Sequence, residues 1–269
     1  QQKNEVENQK NIIEEKNKDI TDSINYARRI QRAMISPESF FKKNLKDFFA
    51  LYKPKDIVSG DFYWGSKTTS GTILVAAADC TGHGVPGAFM SMIGVSKLNE
   101  IIVERNIAAP AEILNQLRHE VIKALNPEDA EEEARDGMDI SLCAFDLDKM
   151  KLEYAGANNS IYLVRKGELT EIKADKMPVG KYSGEIKLFT NYEIILQKND
   201  IIYFFTDGYA DQFGGEKGKK FKYKQLEELL ISTHNKPMEE QKQILDSTME
   251  KWKGNLEQID DILILGVKI

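Results

Sequence analysis

The chain has 269 residues, 41% hydrophobic and 30% charged, the composition of a globular protein able to bury its own core. Lys and Arg number 37 against 43 Asp and Glu, and a net charge of -6 argues against nucleic acid or an anionic membrane as the main partner, since both need a positive footprint. No apolar run is long enough for a transmembrane helix, and two cysteines, Cys80 and Cys143, are too few for a disulfide scaffold; they fit a reducing, cytoplasmic setting.

The chain opens on Gln1-Gln2 rather than Met and reads as a fragment, the cytoplasmic part of a larger protein with a sensor segment upstream. Residues 1–36 contain no glycine and carry one apolar column, Val6, Ile13, Ile20, Ala27 and Met34, at the seven-residue spacing of a coiled-coil seam. The companion column is polar at Gln9, Lys16 and Ser23, so the expected coiled coil is weak, and a single helix lying on the following domain is the alternative. Pro37 ends the segment, because proline neither continues a helix nor favours one in the residue before it.

Short apolar runs follow. Strands are expected at Phe48–Tyr52, Asp61–Trp64 and Thr72–Ala78, then a helix opened by Pro86 and another over Pro110–Leu125. Further strands are expected at Ile140–Phe145, Leu152–Ala155, Ile161–Val164, Ile186–Leu196 and Ile201–Phe205. Two helices (Lys224–Ser232 and Met238–Trp252) precede a last strand at Ile262–Val267. Strands in runs with helices in pairs predict an α+β domain with antiparallel sheets. Residues 128–139 hold seven acids and one Arg and read as a solvated loop.

Four acidic positions stand at strand edges: Asp61 in Ser-Gly-Asp-Phe-Tyr, Asp79 in Asp-Cys-Thr-Gly-His-Gly, Asp207 in Thr-Asp-Gly, and the pair Asp260-Asp261. A carboxylate after an apolar strand is costly to bury without a partner, and a set of them points to a shared divalent cation. The ligands are all oxygen, so the expected metal is hard, Mg²⁺ or Mn²⁺ rather than Zn²⁺ or copper.

Taken in order, these motifs resemble those of metal-dependent PPM phosphatases (protein phosphatase 2C type), and the Asp-x-x-Gly-His-Gly form and the aromatic pair after Asp61 resemble the SpoIIE-like branch. The resemblance covers about residues 44–269, leaving 1–43 as a helical linker. It implies a four-layer α-β-β-α sandwich of two antiparallel sheets flanked by helices, preceded by the N-terminal coiled-coil-like helix. Carried over by position, Asp79 bridges two Mn²⁺ or Mg²⁺ ions, the Cys80 carbonyl binds one, Asp207 and Asp260 complete the ligands, and Asp61 contacts a metal directly or through water. A metal-activated water would then attack phosphoserine or phosphothreonine in line, which needs positioning and charge stabilisation rather than a nucleophilic side chain. The substrate implied is a phosphorylated signalling protein such as an anti-sigma-factor antagonist.

Several positions depart from the family pattern. No Arg matches the phosphate-binding one of eukaryotic members, and Lys53 and Lys55 are the nearest basic candidates. A third metal is in doubt: Asp211 is present, but the turn that supplies its partner acid reads Gly156-Ala157-Asn158. His83 is either a general acid for the leaving oxygen or a turn residue capping backbone groups. Neither cysteine is followed by the Arg-bearing loop of a cysteine phosphatase. Lys217, Lys219, Lys220, Lys222 and Lys224 either place positive potential beside the site for a phosphoprotein or form a solvated loop. The competing functions are a catalytically silent scaffold of the same fold, which would have no reason to keep the acidic set, and a two-metal nuclease, which the net charge opposes. The N-terminal seam predicts weak homodimerisation through residues 6–34.

Overall fold

The computed structural model describes residues 2–126 and 135–269. The chain opens with α1 (Gln2–Met34) and α2 (Glu38–Asn44), followed by β1 (Asp47–Lys53), β2 (Phe62–Lys67) and β3 (Ile73–Cys80). Next come α3 (Gly84–Asn99), which runs into a π-helical turn at Glu100–Glu104, and α4 (Pro110–Leu125). Six strands follow: β4 (Gly137–Asp146), β5 (Lys151–Ala157), β6 (Ile161–Arg165), β7 (Glu168–Ile172), β8 (Val179–Gly180) and β9 (Tyr192–Ile195). The last third holds β10 (Ile201–Phe205), the single turn α5 (Gly208–Asp211), the small strands β11 (Phe213–Gly214) and β12 (Lys219–Lys220), α6 (Tyr223–Thr233), α7 (Met238–Lys253) and β13 (Ile262–Lys268).

Two antiparallel sheets result. One runs β1-β13-β10-β6-β7; the other runs β2-β3-β4-β5-β9, with β8 also pairing β4. Period-two alternation fixes which face each residue serves. In β13, Leu263, Leu265 and Val267 face the other sheet, whereas Ile262 and Ile264 face the helical layer of α6 and α7. β10 divides in the same way, with Ile202 and Phe204 inward and Ile201, Tyr203 and Phe205 under the helices. β3 lies central in its sheet, and Ile73 to Ala78 are buried on both faces. α3 and α4 cover that second sheet; α4 does so with Ile113, Leu114, Leu117 and Val121 along one stripe. The four-layer α-β-β-α sandwich expected from the motifs is the architecture observed.

α1 is about 50 Å long at 1.5 Å per residue, and its first twenty-odd residues stand in solvent. Val6, Ile13 and Ile20 of the seven-residue column are exposed, whereas Met34 packs against the core and the last turns lie on α3. Gln31, Ile35 and Phe41 are buried in the body, so packing begins well before residue 44. No helix among the described residues is long and apolar enough to cross a membrane. The expected strand over Ile186–Leu196 contracts to Tyr192–Ile195, because residues 186–191 pair with no neighbouring strand and Leu188 is 79% exposed. The acidic run over residues 128–139 lies largely outside the described residues; Arg135 to Asp139 are within them.

Candidate active site

The acidic positions come from both sheets and meet at one end of the sandwich. Asp79 is the penultimate residue of β3, Asp207 stands two residues after β10, and Asp260 stands two residues before β13. All three line one cleft of about 320 Å³, together with Cys80, Thr81, His83 and Arg135. A fourth carboxylate joins them that the sequence motifs did not single out. Asp139 lies on β4 directly across the antiparallel ladder from Asp79, and its Oδ1 accepts a hydrogen bond from Asn158 Nδ2 at 2.8 Å.

Behind the cleft a second set of polar groups holds the loop before β2. The two adjacent acids of the last motif divide the work. Asp260 lines the cleft, whereas Asp261 is buried and accepts the backbone N–H of Lys55 at Oδ1 and that of Gly60 at Oδ2, both at 2.7 Å. Asp61 is also buried and does not line the cleft; its Oδ2 accepts the Thr206 hydroxyl at 2.6 Å, and its carbonyl accepts the Tyr52 hydroxyl at 3.1 Å. Close backbone approach explains the glycines here. A Cβ on Gly60 would stand 2.5 Å from the Gly82 carbonyl oxygen, and one on Gly208 would stand 1.9 Å from that of Asp261.

Burial and mutual repulsion act on these acids together. Burial, then the charges of Asp207 and Asp260, push Asp79 up to about 8. Asp207 rises to about 6, through burial and then the charges of Asp260 and Asp211. Burial also holds Asp61 well above the carboxylate range, with Asp79 the next cause. Such a set needs either protons or cations to offset its charge. Among the described residues no three His, Cys, Asp or Glu side chains converge on one point as they stand, so the fit to a metal rests on donor chemistry. The donors are carboxylates and a backbone carbonyl, the Cys80 thiol is buried, and the His83 ring is engaged elsewhere. That set suits hard divalent ions.

The basic candidates separate. Lys53 is not brought to the cleft: its ammonium bonds Asp246 at 2.5 Å and Glu250, both on α7. Its position at the end of β1 directs it to the outer helical layer rather than to the cleft where a phosphate ligand was expected. Lys55 does reach the cleft's edge, where Nζ lies 3.1 Å from His83 Nε2. His83 Nδ1 lies 2.8 Å from Asp56 Oδ2, so an Asp56-His83-Lys55 string stands at the rim; the ring makes no cap to the backbone of α3, the alternative raised for it. Asp211, the expected third-metal acid, is paired with Lys220 at 2.7 Å. Lys217 and Lys219 are exposed on the β11–β12 hairpin, which packs through Gly214 and Gly215 on Trp252, and neither lines the cleft. Arg135, unremarked among the acids of its loop, does line it.

A family model, Stage II sporulation protein E (SpoIIE), matches residues 69–269, most of the chain. This chain belongs to the SpoIIE family. No curated protein matches it. Among solved structures, the SiaA-PP2C domain of Pseudomonas aeruginosa is similar at 32% identity over 94% of this chain and 98% of that one, with a TM-score of 0.83. The PP2C phosphatase domain of the cell fate determinant SpoIIE from Bacillus subtilis, with a fragment of its regulatory domain, is 18% identical over 83% of this chain and 63% of that one, with a TM-score of 0.64. The serine/threonine phosphatase PstP of Mycobacterium tuberculosis is 14% identical over 82% and 97%, with a TM-score of 0.57. At those identities the last two share the fold. The SpoIIE-family domain described here is an enzyme of the phosphoprotein phosphatase class.

Proposed function

We propose that this SpoIIE-family domain hydrolyses phosphoserine or phosphothreonine on a signalling protein, using Mn²⁺ or Mg²⁺ held by Asp79, Asp207, Asp260 and the Cys80 carbonyl. The observation that carries the reading is the cleft itself, where carboxylates delivered by three strand ends from both sheets line one wall. When bound, the ions would acidify a water and neutralise phosphate oxygens. The chain's own residues bind and orient. Arg135 and Lys55 supply positive charge at the rim, and an arginine's planar fork suits a phosphate's paired oxygens. With Nδ1–H donating to Asp56, His83 Nε2 accepts from the Lys55 ammonium, and the proton that a leaving oxygen takes up would come from this pair. Asp61, buried and bonded to Thr206 and Tyr52, anchors the loop before β2 rather than meeting substrate. Asp139, across from Asp79 and held by Asn158, is the acid nearest to hand for any further cation, since Asp211 is engaged with Lys220.

The test is release of phosphate from a phosphoserine peptide with Mn²⁺ and with excess EDTA. Turnover confined to the Mn²⁺ arm is expected, and equal rates in both would sink the metal mechanism. An anti-sigma-factor antagonist is the substrate first to be tried. A silent scaffold of the same fold would release nothing in either arm.

The same reading extends to α1. Its exposed column at Val6, Ile13 and Ile20 is the seam through which two copies pair weakly. With one apolar column and one polar, paired helices gain little, so that register or association could be shifted by a small bias.

A further inference from the structure

The turn between α1 and α2, the strands β1 and β2, and the first turns of α7 enclose a cavity of about 550 Å³ at the edge of the sandwich. It shares no residue with the acidic cleft, and its size suits a small molecule. Its walls are fixed by contacts of their own. Ser36 Oγ accepts the Gly65 N–H at 2.9 Å and donates to the Gly65 carbonyl at 3.0 Å, and Phe41 of α2 stacks on Phe48 of β1 with ring centroids 4.6 Å apart.

The charges around this cavity differ in how they are engaged. Both acids that line it are paired, Asp246 with Lys53 at 2.5 Å and Glu38 with Lys42 at 3.3 Å. Arg32, in the last turn of α1, and Lys242, on α7, meet no hydrogen-bond or ion-pair partner among the described residues. Tyr63 is only 9% exposed and lines the same cavity, so what is exposed of it faces that space. Its hydroxyl makes no hydrogen bond among the described residues. Burial raises that hydroxyl above the ordinary tyrosine range, the charge of Glu38 adds to the rise and that of Arg32 opposes it, which sets the oxygen at the end of the ring where those two cavity residues stand. A hydroxyl on so buried a residue is costly to leave without a partner. Three unpaired donors from three elements therefore face one cavity, in a chain whose net charge is -6.

We propose that this cavity binds a small phosphate monoester of nucleotide size, its phosphoryl oxygens held by Arg32, Lys242 and the Tyr63 hydroxyl and its apolar body set against Ile35, Pro37 and Leu51. Donors arriving from three elements suit the three terminal oxygens of a phosphoryl group better than the two of a carboxylate, and an arginine's planar fork can take two of them at once. The cavity is far larger than a phosphate ion, and its aliphatic wall has no use for one, so the group comes carried on a body. Binding here needs no cation, because the unpaired charges are already positive, whereas an anion entering the acidic cleft meets carboxylates. The site therefore goes beyond the phosphatase reading and does not depend on it.

The experiment is calorimetric titration of the full chain with AMP, adenosine and inorganic phosphate, all in excess EDTA so that no metal draws phosphate into the cleft, with thermal melts alongside. Saturable binding of one AMP per chain is expected, with a rise in Tm, and adenosine and inorganic phosphate should each bind more weakly by about tenfold or more. Arg32→Gln and Lys242→Gln should each raise the AMP dissociation constant about tenfold, the loss of one charge-assisted hydrogen bond, and Tyr63→Phe should raise it about threefold. Lys43→Gln, which removes an exposed cation of α2 outside the cavity, should leave it unchanged. No binding heat at millimolar AMP would overturn the proposal. Adenosine binding as tightly as AMP would show that the donors are not used, and inorganic phosphate doing so would show that the cavity holds no body; either overturns it. Equal weakening by Lys43→Gln and Arg32→Gln would reduce the effect to overall charge and overturn it too. Should a charge variant not fold, Tyr63→Phe, which removes a single oxygen, carries the same test.

Discussion

The acidic cleft and the free stretch of α1 are opposites in composition, yet each holds side chains where physical chemistry disfavours them. In the cleft, carboxylates are gathered and partly buried, and Asp79 and Asp207 are pushed up to about 8 and about 6. Along α1, Val6, Ile13 and Ile20 stand in water, each more than half exposed. The difference lies in what relieves them. A cation would relieve the cleft within one chain, whereas covering the helix column would take apolar surface from another. On the proposed function the cleft serves chemistry and the free helix serves association.

The largest effect expected from breaking this comparison is at Asp79. Asp79→Asn should lower Mn²⁺-dependent turnover by more than about 100-fold, since it removes a ligand rather than a group behind one. The same change should raise Tm in EDTA at pH 8, because it deletes a charge the metal-free fold disfavours. A variant that lost turnover and Tm together would mean that Asp79 is paired with something other than a cation.

Next is the double substitution Ile13→Asp with Ile20→Asp. Sedimentation equilibrium should show a weak dimer for the parent and a monomer for the variant, because unpaired charges in a seam are costly. Mn²⁺ affinity should change little, since neither residue touches the body. A parent that is monomeric at high micromolar concentration would contradict the seam.

The pH dependence sharpens the electrostatic half. Asp79 has a folded value raised to about 8 from an ordinary value of about 4. Its contribution to stability is therefore fully present below about 4 and is lost as the pH rises through about 8. In EDTA, Tm should fall across that window; with saturating Mn²⁺ the fall should flatten. An equal slope in both would show that cations do not relieve the cleft. The smallest effect separates two basic residues: Arg135→Ala should raise KM for a phosphoserine peptide about tenfold, whereas Lys53→Gln should leave it unchanged because Lys53 is spent on α7.

Much of this was legible in the residues themselves. β10 and β13 read clearly because each alternates between two buried faces, and the acids that end or precede strands announced the cleft. What escaped depended on partners distant in sequence. β7, Glu-Leu-Thr-Glu-Ile at a sheet edge, is mostly exposed and carries no apolar run. Asp139 became a cleft residue only through the register that sets it opposite Asp79. Nothing local separates Asp260 from Asp261, yet one faces the cleft and the other clamps the loop from Lys55 to Gly60. Lys53 and Lys55, two residues apart, differ because β1 ends between them. Gln31 gave no signal at all, being a polar residue in a polar helix until Ser59 folds against it.

The central claim is that the strand-end carboxylates exist to hold hard divalent ions. Calorimetric titration of the parent chain with Mn²⁺, beside Asp207→Asn, tests it most directly. Saturable uptake of two ions per chain that Asp207→Asn loses is the predicted result; no binding heat at millimolar Mn²⁺, or equal uptake by the variant, would contradict it.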